Sequence, residues 1–299
     1  MSTRVGAGPG TGATRGTGAG PGTEATRGAG TRPGTGAAAW LRANSSGRAW
    51  AVLERGFRSW RSGNWVVVLT GFFEPLLYLL AMGYGMGGLV GEVAGPGGVT
   101  MSYAAFIAPA MMATSAMNGA IYDSTWNVFF KMKIAKLYQA MLSTSLGPLD
   151  IAAGEVGMAL FRGFVYALGF TGVIAALGLT SSWWALAMVP VALLIALGFA
   201  AFGMAVTSYF TTFQQMDLLS MALMPMFLFS ATLVPLAVYP VPVQWCIMAL
   251  PLWHGVELMR QLSLGVFTRW AWLHLAYFVV LSVAGIIFTT RRLRSLFLR

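Results

Sequence analysis

Apolar runs of about twenty residues recur along this chain, and a helix of that length rises through the ~30 Å hydrocarbon layer of a membrane. They fall at Trp65–Gly88, Tyr103–Tyr122, Ile151–Leu177, Trp184–Tyr209, Leu218–Val238 and Trp270–Thr290. A chain so patterned has no soluble fold open to it. Of its 299 residues 57% are hydrophobic and 9% charged, against about 25% charged in soluble domains. In water it would expose apolar patches far above the few hundred Å² that monomers tolerate. The sequence therefore predicts an all-α polytopic membrane protein.

A seventh apolar segment, Val241–Leu264, carries His254, Glu257 and Arg260 between proline-rich turns. Each charge at the bilayer centre costs about 2.5–3.5 kcal/mol. Counting this segment as a span would put the Arg-rich N-terminal stretch and the tail Arg291, Arg292, Arg294 and Arg299 on opposite sides. Six spans place both termini, and the loop bearing Lys131, Lys133 and Lys136, on the cytoplasmic side, as the positive-inside rule asks. The Leu89–Met101 connection, with Glu92 as its charge, then lies outside. The expected architecture is six transmembrane helices with an external re-entrant helical pair over Val241–Leu264, where irregular backbone is covered by protein. His254, Glu257 and Arg260 fall on that pair, the last two spaced to meet on one helix face. Heavy use of Gly, Ala and Arg is compatible with a GC-rich bacterial genome, a compositional hint beside the expected location in the plasma (inner) membrane of a bacterium.

Ahead of these runs the chain changes character twice. Residues 1–39 are mostly Gly, Thr and Ala with scattered Arg. They have almost nothing to bury against the entropy of ordering, which predicts a disordered cytoplasmic tail. Its arginines offer an alternative role in attracting anionic lipid, and no apolar core of a signal peptide is present. Over residues 40–64, Trp50, Leu53, Phe57 and Trp60 follow helical spacing with Arg48, Arg55, Arg58 and Arg61 between them. That pattern predicts an amphipathic interfacial helix, with tryptophans at headgroup level. The membrane domain then occupies 65–290 and a basic cytoplasmic tail 291–299.

What is missing narrows the chemistry. The net charge is +10, yet the arginines flank apolar runs instead of forming a nucleic-acid surface. One cysteine, Cys246, and two histidines, His254 and His274, argue against a disulfide framework or a multi-ligand metal centre. No G-x-x-x-x-G-K-[ST] loop exists, the first lysine being Lys131 with Met132 after it, so the chain cannot hydrolyse ATP alone. Gly83 to Gly88 fit G-x-G-x-x-G formally, but no strand precedes them; Gly83, Gly87, Gly91 and Gly95 read better as close helix contacts. Neither G-x-S-x-G nor H-E-x-x-H occurs. No catalytic, cofactor-binding or metal residue is expected.

The polar residues in or beside the spans are Glu74, Glu155, Arg162 and Asp217. Glu74-Pro75 interrupts the first run, where proline frees a backbone carbonyl. Glu155 and Arg162 share a helix face about 10 Å apart. The two side chains can meet each other or pair with neighbouring helices, while the favoured expectation for Glu155 is that it snorkels to the cytoplasmic interface. Arg162, lying deeper, either pairs with a neighbouring helix or lines a pathway. Phe227, Phe229, Met221, Met224 and Met226 crowd the fifth run and are expected to serve packing.

Several local patterns carry a family likeness. They are FFEPLLYLLAMGYGMGG (Phe72–Gly88), YAAFIAPAMM (Tyr103–Met112), VFFKMKIAKLYQAMLSTSLGPLDIAAGE (Val128–Glu155), FGMAVTSYFTTFQQMD (Phe202–Asp217) and LVPLAVYPVPVQWCIMALPLWHGVELMRQLSLG (Leu233–Gly265). In this order and spacing, over most of Asn64 to Thr290, the chain resembles the ABC type-2 permease family, in particular the branch of nodulation lipo-oligosaccharide export and daunorubicin/doxorubicin-resistance permeases. The Gly/Thr-rich extension departs from that pattern. The resemblance implies a permease subunit paired with an ABC ATP-binding subunit, which holds ATP and Mg, and with a second permease copy or related chain. It implies that Val128–Leu142 is the ATPase-coupling helix. Phe129, Phe130 and Tyr138 would be its apolar anchors, with Lys131, Lys133 and Lys136 around them. The helix of Trp50, Phe57 and Trp60 would be a second ATPase contact, and the re-entrant pair would cap the pathway. An amphiphilic cargo and the outward direction follow from the likeness alone.

Two other classes stand beside this one. A nucleotide-independent secondary transporter or channel would need a coupling ion, and Glu74, Glu155 and Asp217 form no cluster in sequence. A membrane-embedded enzyme would need a nucleophile and base, and no such constellation is present.

Overall fold

The computed structural model describes residues 47–61, 73 and 75–297. The tail 1–39, the first residues of the interfacial segment, the Trp60 side chain, Glu74, most of the first apolar run and Arg299 lie outside the described residues. The elements are α1 (Ala49–Arg61), α2 (Pro75–Val90), a short antiparallel hairpin of β1 (Glu92–Ala94) and β2 (Thr100–Ser102) with Val93 opposite Met101, and α3 (Tyr103–Ile134). There follow α4 (Leu137–Leu142), α5 (Pro148–Ala176), α6 (Trp183–Thr207), α7 (Phe213–Leu228), α8 (Val241–Met248), α9 (Pro251–Leu264) and α10 (Ala271–Phe297).

Local chemistry starts and stops these helices. The Ser102 hydroxyl accepts from the Ala105 amide at the N-terminus of α3, and the Asp150 carboxylate accepts from the Gly147 amide ahead of Pro148 in α5. Both satisfy amides that a helix start leaves free. Gly265, at φ 70°, closes α9 in the left-handed conformation that glycine adopts without strain.

Four helical stretches, 103–134, 148–176, 183–207 and 271–296, are long and apolar enough to cross a membrane. They cover the second, third, fourth and sixth expected runs to within two residues at the ends of those runs. All of the described part of the first run except residue 73 lies in α2. The fifth run differs from expectation. Leu218–Val238 is not one helix: α7 begins at Phe213 and stops at Leu228. Pro225 sits in its last turn and Pro235 and Pro240 follow, so amides needed to continue the ladder are missing. The Ser230 and Thr232 hydroxyls donate to the carbonyls of Met226 and Phe227, filling acceptors the helix leaves. The second run is longer than expected. α3 continues beyond Tyr122 to Ile134 through wider π-helical turns at Asp123–Asn127 and Phe130–Ile134.

The core centres on α6, which packs against α3, α5, α9 and α10. Small residues permit this, as in membrane bundles where backbones must approach closely. Gly198 lies under Phe278, and a Cβ at Gly285 of α10 would stand 2.8 Å from the Ala201 backbone. α1 lies on α5 in the same manner: a Cβ at Gly157 would meet Leu53 at 2.7 Å, and Val52 is buried.

Candidate functional site

The expected coupling segment Val128–Leu142 is not one separate helix. It is the end of α3 and the whole of α4, joined by a corner where Lys136 adopts φ 48°. The corner divides the six residues singled out there. Phe129 is buried and its ring lies 5.0 Å from that of Phe213. Tyr138 is wholly buried. Neither ring presents a free face. Phe130 is 54% exposed and Ile134, one turn on, is 49% exposed, with Lys133 and Lys136 beside them. Ile134 was missed from the sequence, although its i,i+4 spacing from Phe130 marks it.

Lys131 turns the other way. Its Nζ donates to the Glu155 carboxylate of α5 at 2.5 Å, and Arg55 of α1 approaches the other carboxylate oxygen at 3.7 Å. Glu155 therefore does not snorkel to an interface. Burial without partners is costly for a carboxylate, and two cations supply them. The consequence is that Glu155 joins α1, the end of α3 and α5. Tyr138 packs beside it, and burial, with the nearby carboxylate adding, pushes its phenol well above the ordinary tyrosine range.

Farther along α5, Arg162 has a partner on a neighbouring helix. Its Nε lies 2.7 Å from Asp123 of α3, and the Asn127 amide donates to the same carboxylate at 2.9 Å. Both ionic side chains are buried. Asp123 was passed over in the sequence because it follows the apolar run that ends at Tyr122, where it reads as a loop residue. Asp217 is exposed on α7.

On α1, Trp50 is 73% exposed, while Phe57 is half-exposed and meets Phe161 of α5 edge-on at 5.5 Å. On α9 the expected Glu257–Arg260 pairing does not form. Glu257 accepts from Gln261, and Arg260 reaches carbonyls of other segments. His254 meets His274 of α10, Nδ1 to Nδ1 at 2.7 Å. The chain's two histidines thus come together, but among the described residues no group of three or more metal-ligating side chains exists.

A cavity of about 340 Å³ opens between α2, α3 and α7. Tyr78, Met111, Leu223, Met224 and Phe227 supply apolar walls, and Thr114, Asn118 and Ser220 supply neutral polar points. The Thr114 and Ser220 hydroxyls donate to the carbonyls of Ala110 and Met216 within their own helices. The Asn118 amide has no hydrogen-bond partner among the described residues. Met224 and Phe227, expected only to pack, line this space.

Comparison with known proteins matches residues 48–264 to the family described as ABC-2 type transporter. Nodulation protein J of Rhizobium leguminosarum bv. viciae is 31% identical over 255 residues, 83% of this chain and 95% of that protein. Nodulation protein J of R. leguminosarum bv. trifolii is 34% identical over 221 residues, 72% and 80% of the two chains. Nodulation protein J of Rhizobium meliloti is 30% identical over 250 residues, 82% and 92% of the two chains.

Proposed function

Because this chain belongs to the ABC-2 type transporter family, we propose that it is the membrane subunit of an ATP-binding cassette exporter in a bacterial inner membrane, driven by a separate ATP-binding subunit. The observation that carries this reading is the α3–α4 corner. It presents Phe130 and Ile134 with Lys133 and Lys136, an apolar knob ringed by cations at the end of a long helix. That chemistry fits an apolar groove with an acidic rim on a soluble partner.

From the corner, displacement has a mechanical route inward. Lys131 follows the corner, Glu155 follows Lys131, and Glu155 carries both α1 and α5. Asp123 and Arg162 bind α3 to α5 deeper in the bundle. A push at the corner therefore moves α1, α3 and α5 as one body against α7, whose contacts with them are fewer. The cavity lies on that seam. Closure of an ATPase pair on nucleotide would favour one arrangement of the seam and release of nucleotide the other, which is differential binding of two conformations.

ATP and Mg belong to the partner in this proposal, and no step of hydrolysis falls on this chain. Six spans follow if α2 with its preceding run and α7 with its following break each cross, which puts both termini on the cytoplasmic side with the corner. The α8–α9 pair then caps the outer end. The cargo is an amphiphile, drug-like or lipid-linked: the cavity wall is apolar with a few neutral polar points. A second copy or a related permease completes the pathway. The secondary-transport reading has less support, since Glu155 is already neutralised by two cations and Asp217 stands away on exposed α7.

The test is a mild-detergent pull-down of the tagged chain expressed with its native gene neighbours, followed by an ATPase assay. A co-purifying ATP-binding subunit with nucleotide-dependent transport is the expected result. A chain that purifies alone and transports without nucleotide overturns the proposal.

A further inference from the structure

Among the described residues Arg260 is a buried cation, 2% exposed, with no ion-pair partner. Its Nε donates to the Phe106 carbonyl of α3 at 3.1 Å. Its Nη2 donates to the carbonyls of Ala231 and Thr232 at 2.7 and 3.0 Å. The guanidinium also lies over the Phe106 ring, 3.6 Å from its centroid. A planar fork of donors in fixed directions holds three acceptors in one geometry, whereas the three donors of a lysine ammonium turn on a flexible stem.

The two carbonyls on one nitrogen belong to the break after α7. Ala231 is held there at φ 53°, a conformation unfavourable for a residue with a Cβ. Beside them, the Tyr103 hydroxyl donates to the Leu233 carbonyl at 3.1 Å. Three consecutive carbonyls, of Ala231, Thr232 and Leu233, are thus taken by side chains from α9 and α3. The Leu233 side chain is part of the cavity wall. Burying an unpaired guanidinium is expensive, and hydrogen bonds to carbonyls offset that cost; two of the three hold backbone that no helix orders.

We infer that Arg260 and Tyr103 form a clasp that fixes the break 229–235 as the end wall of the cavity, and that releasing these three carbonyls opens the cavity at that end. Arg260 is a positioning residue: it sets where Leu233 stands and does not itself line the space. As a gate for cargo, the clasp rests on the exporter reading above. As a lock on the wall, it stands on the geometry alone.

The test uses the full chain in lipid nanodiscs without nucleotide or partner. Cys246 is the single cysteine and is exposed, so it is first changed to Ala. Leu233→Cys then reports the wall through its labelling rate with a membrane-impermeant maleimide. Ala192→Cys, in the buried core of α6, reports general loosening. Arg260→Met is expected to speed labelling at 233 about tenfold, the worth of a charged hydrogen bond, while position 192 stays unlabelled. Arg260→Lys, which keeps the charge and loses the fork, should restore the slow rate only in part. Should Arg260→Met fail to assemble, Tyr103→Phe removes one bond and should still give a few-fold increase at 233. An unchanged rate at 233 in the assembled variants, or equal acceleration at 192 and 233, overturns the clasp. Neither result depends on an ATPase, so failure here is distinct from failure of the exporter reading.

Discussion

α6 and α7 are consecutive in the chain and both rich in apolar residues, yet they live in different surroundings. α6 is enclosed by four other helices, with Ile195, Ala196, Phe199, Ala200 and Met204 buried. α7 exposes Leu218, Met221, Met224 and Leu228, and Met216 is its one buried residue. Side-chain size accounts for the difference. Gly198, Ala201 and Gly203 let neighbours close onto α6, whereas the Met, Leu and Phe side chains of α7 hold neighbours away and leave the cavity beside it. Hydropathy alone does not separate a structural hub from a face that meets lipid, cargo or another subunit. The small residues do.

If this division is right, variants on the enclosed side should break the fold and variants on the open side should alter function. The largest effect is expected for Arg162→Leu, which strands Asp123 in the bundle. Losing one partner of a buried ion pair costs about 3–5 kcal/mol, to be read as a lowered midpoint in denaturant titration of the solubilised chain. Replacing both partners by Leu should recover most of it. Next comes Gly285→Leu, which drives a side chain into the Ala201 backbone and should cost about 1–3 kcal/mol or more. In contrast, Met221→Ala on α7 should stay within about 0.5 kcal/mol in the isolated chain. A similar loss for both would erase the distinction.

On the open side, Asn118→Leu removes the free amide of the cavity. Cargo affinity should fall up to about tenfold, the worth of one neutral hydrogen bond, with the midpoint of unfolding unchanged. Phe130→Ala at the exposed corner should likewise leave stability within about 0.5 kcal/mol. Its consequence should appear instead as ATPase activity in the assembled complex that cargo no longer stimulates. A variant that lost both stability and coupling would place Phe130 in the core with Phe129.

Much of this was legible in residue pattern. The runs within α3, α5, α6 and α10, the helix of α1 and the paired helices of Val241–Leu264 follow from hydropathy, proline positions and charge spacing. The parts that were not legible share a physical cause. Asp123 and Arg162 are far apart in sequence and on different helices, so their pairing is a fact of packing. Phe129 and Phe130 are adjacent and identical, and only the helix phase at a π-helical turn decides which one is buried. The stop of α7 at Leu228 leaves apolar residues on both sides, so a hydropathy window runs straight across it. The i,i+3 spacing pairs Arg260 with Glu257, but in the fold its guanidinium is taken by backbone carbonyls of α3 and of the broken segment.

The central claim is that the α3–α4 corner meets a separate ATP-binding subunit. It is tested most directly by site-specific crosslinking in the native complex, with Cys246→Ala and a single photoreactive cysteine adduct at position 134 or 221. The account predicts that position 134 crosslinks to an ATP-binding subunit and that position 221, on α7, does not. A complex in which position 134 captures only lipid, while transport proceeds without nucleotide, would contradict it.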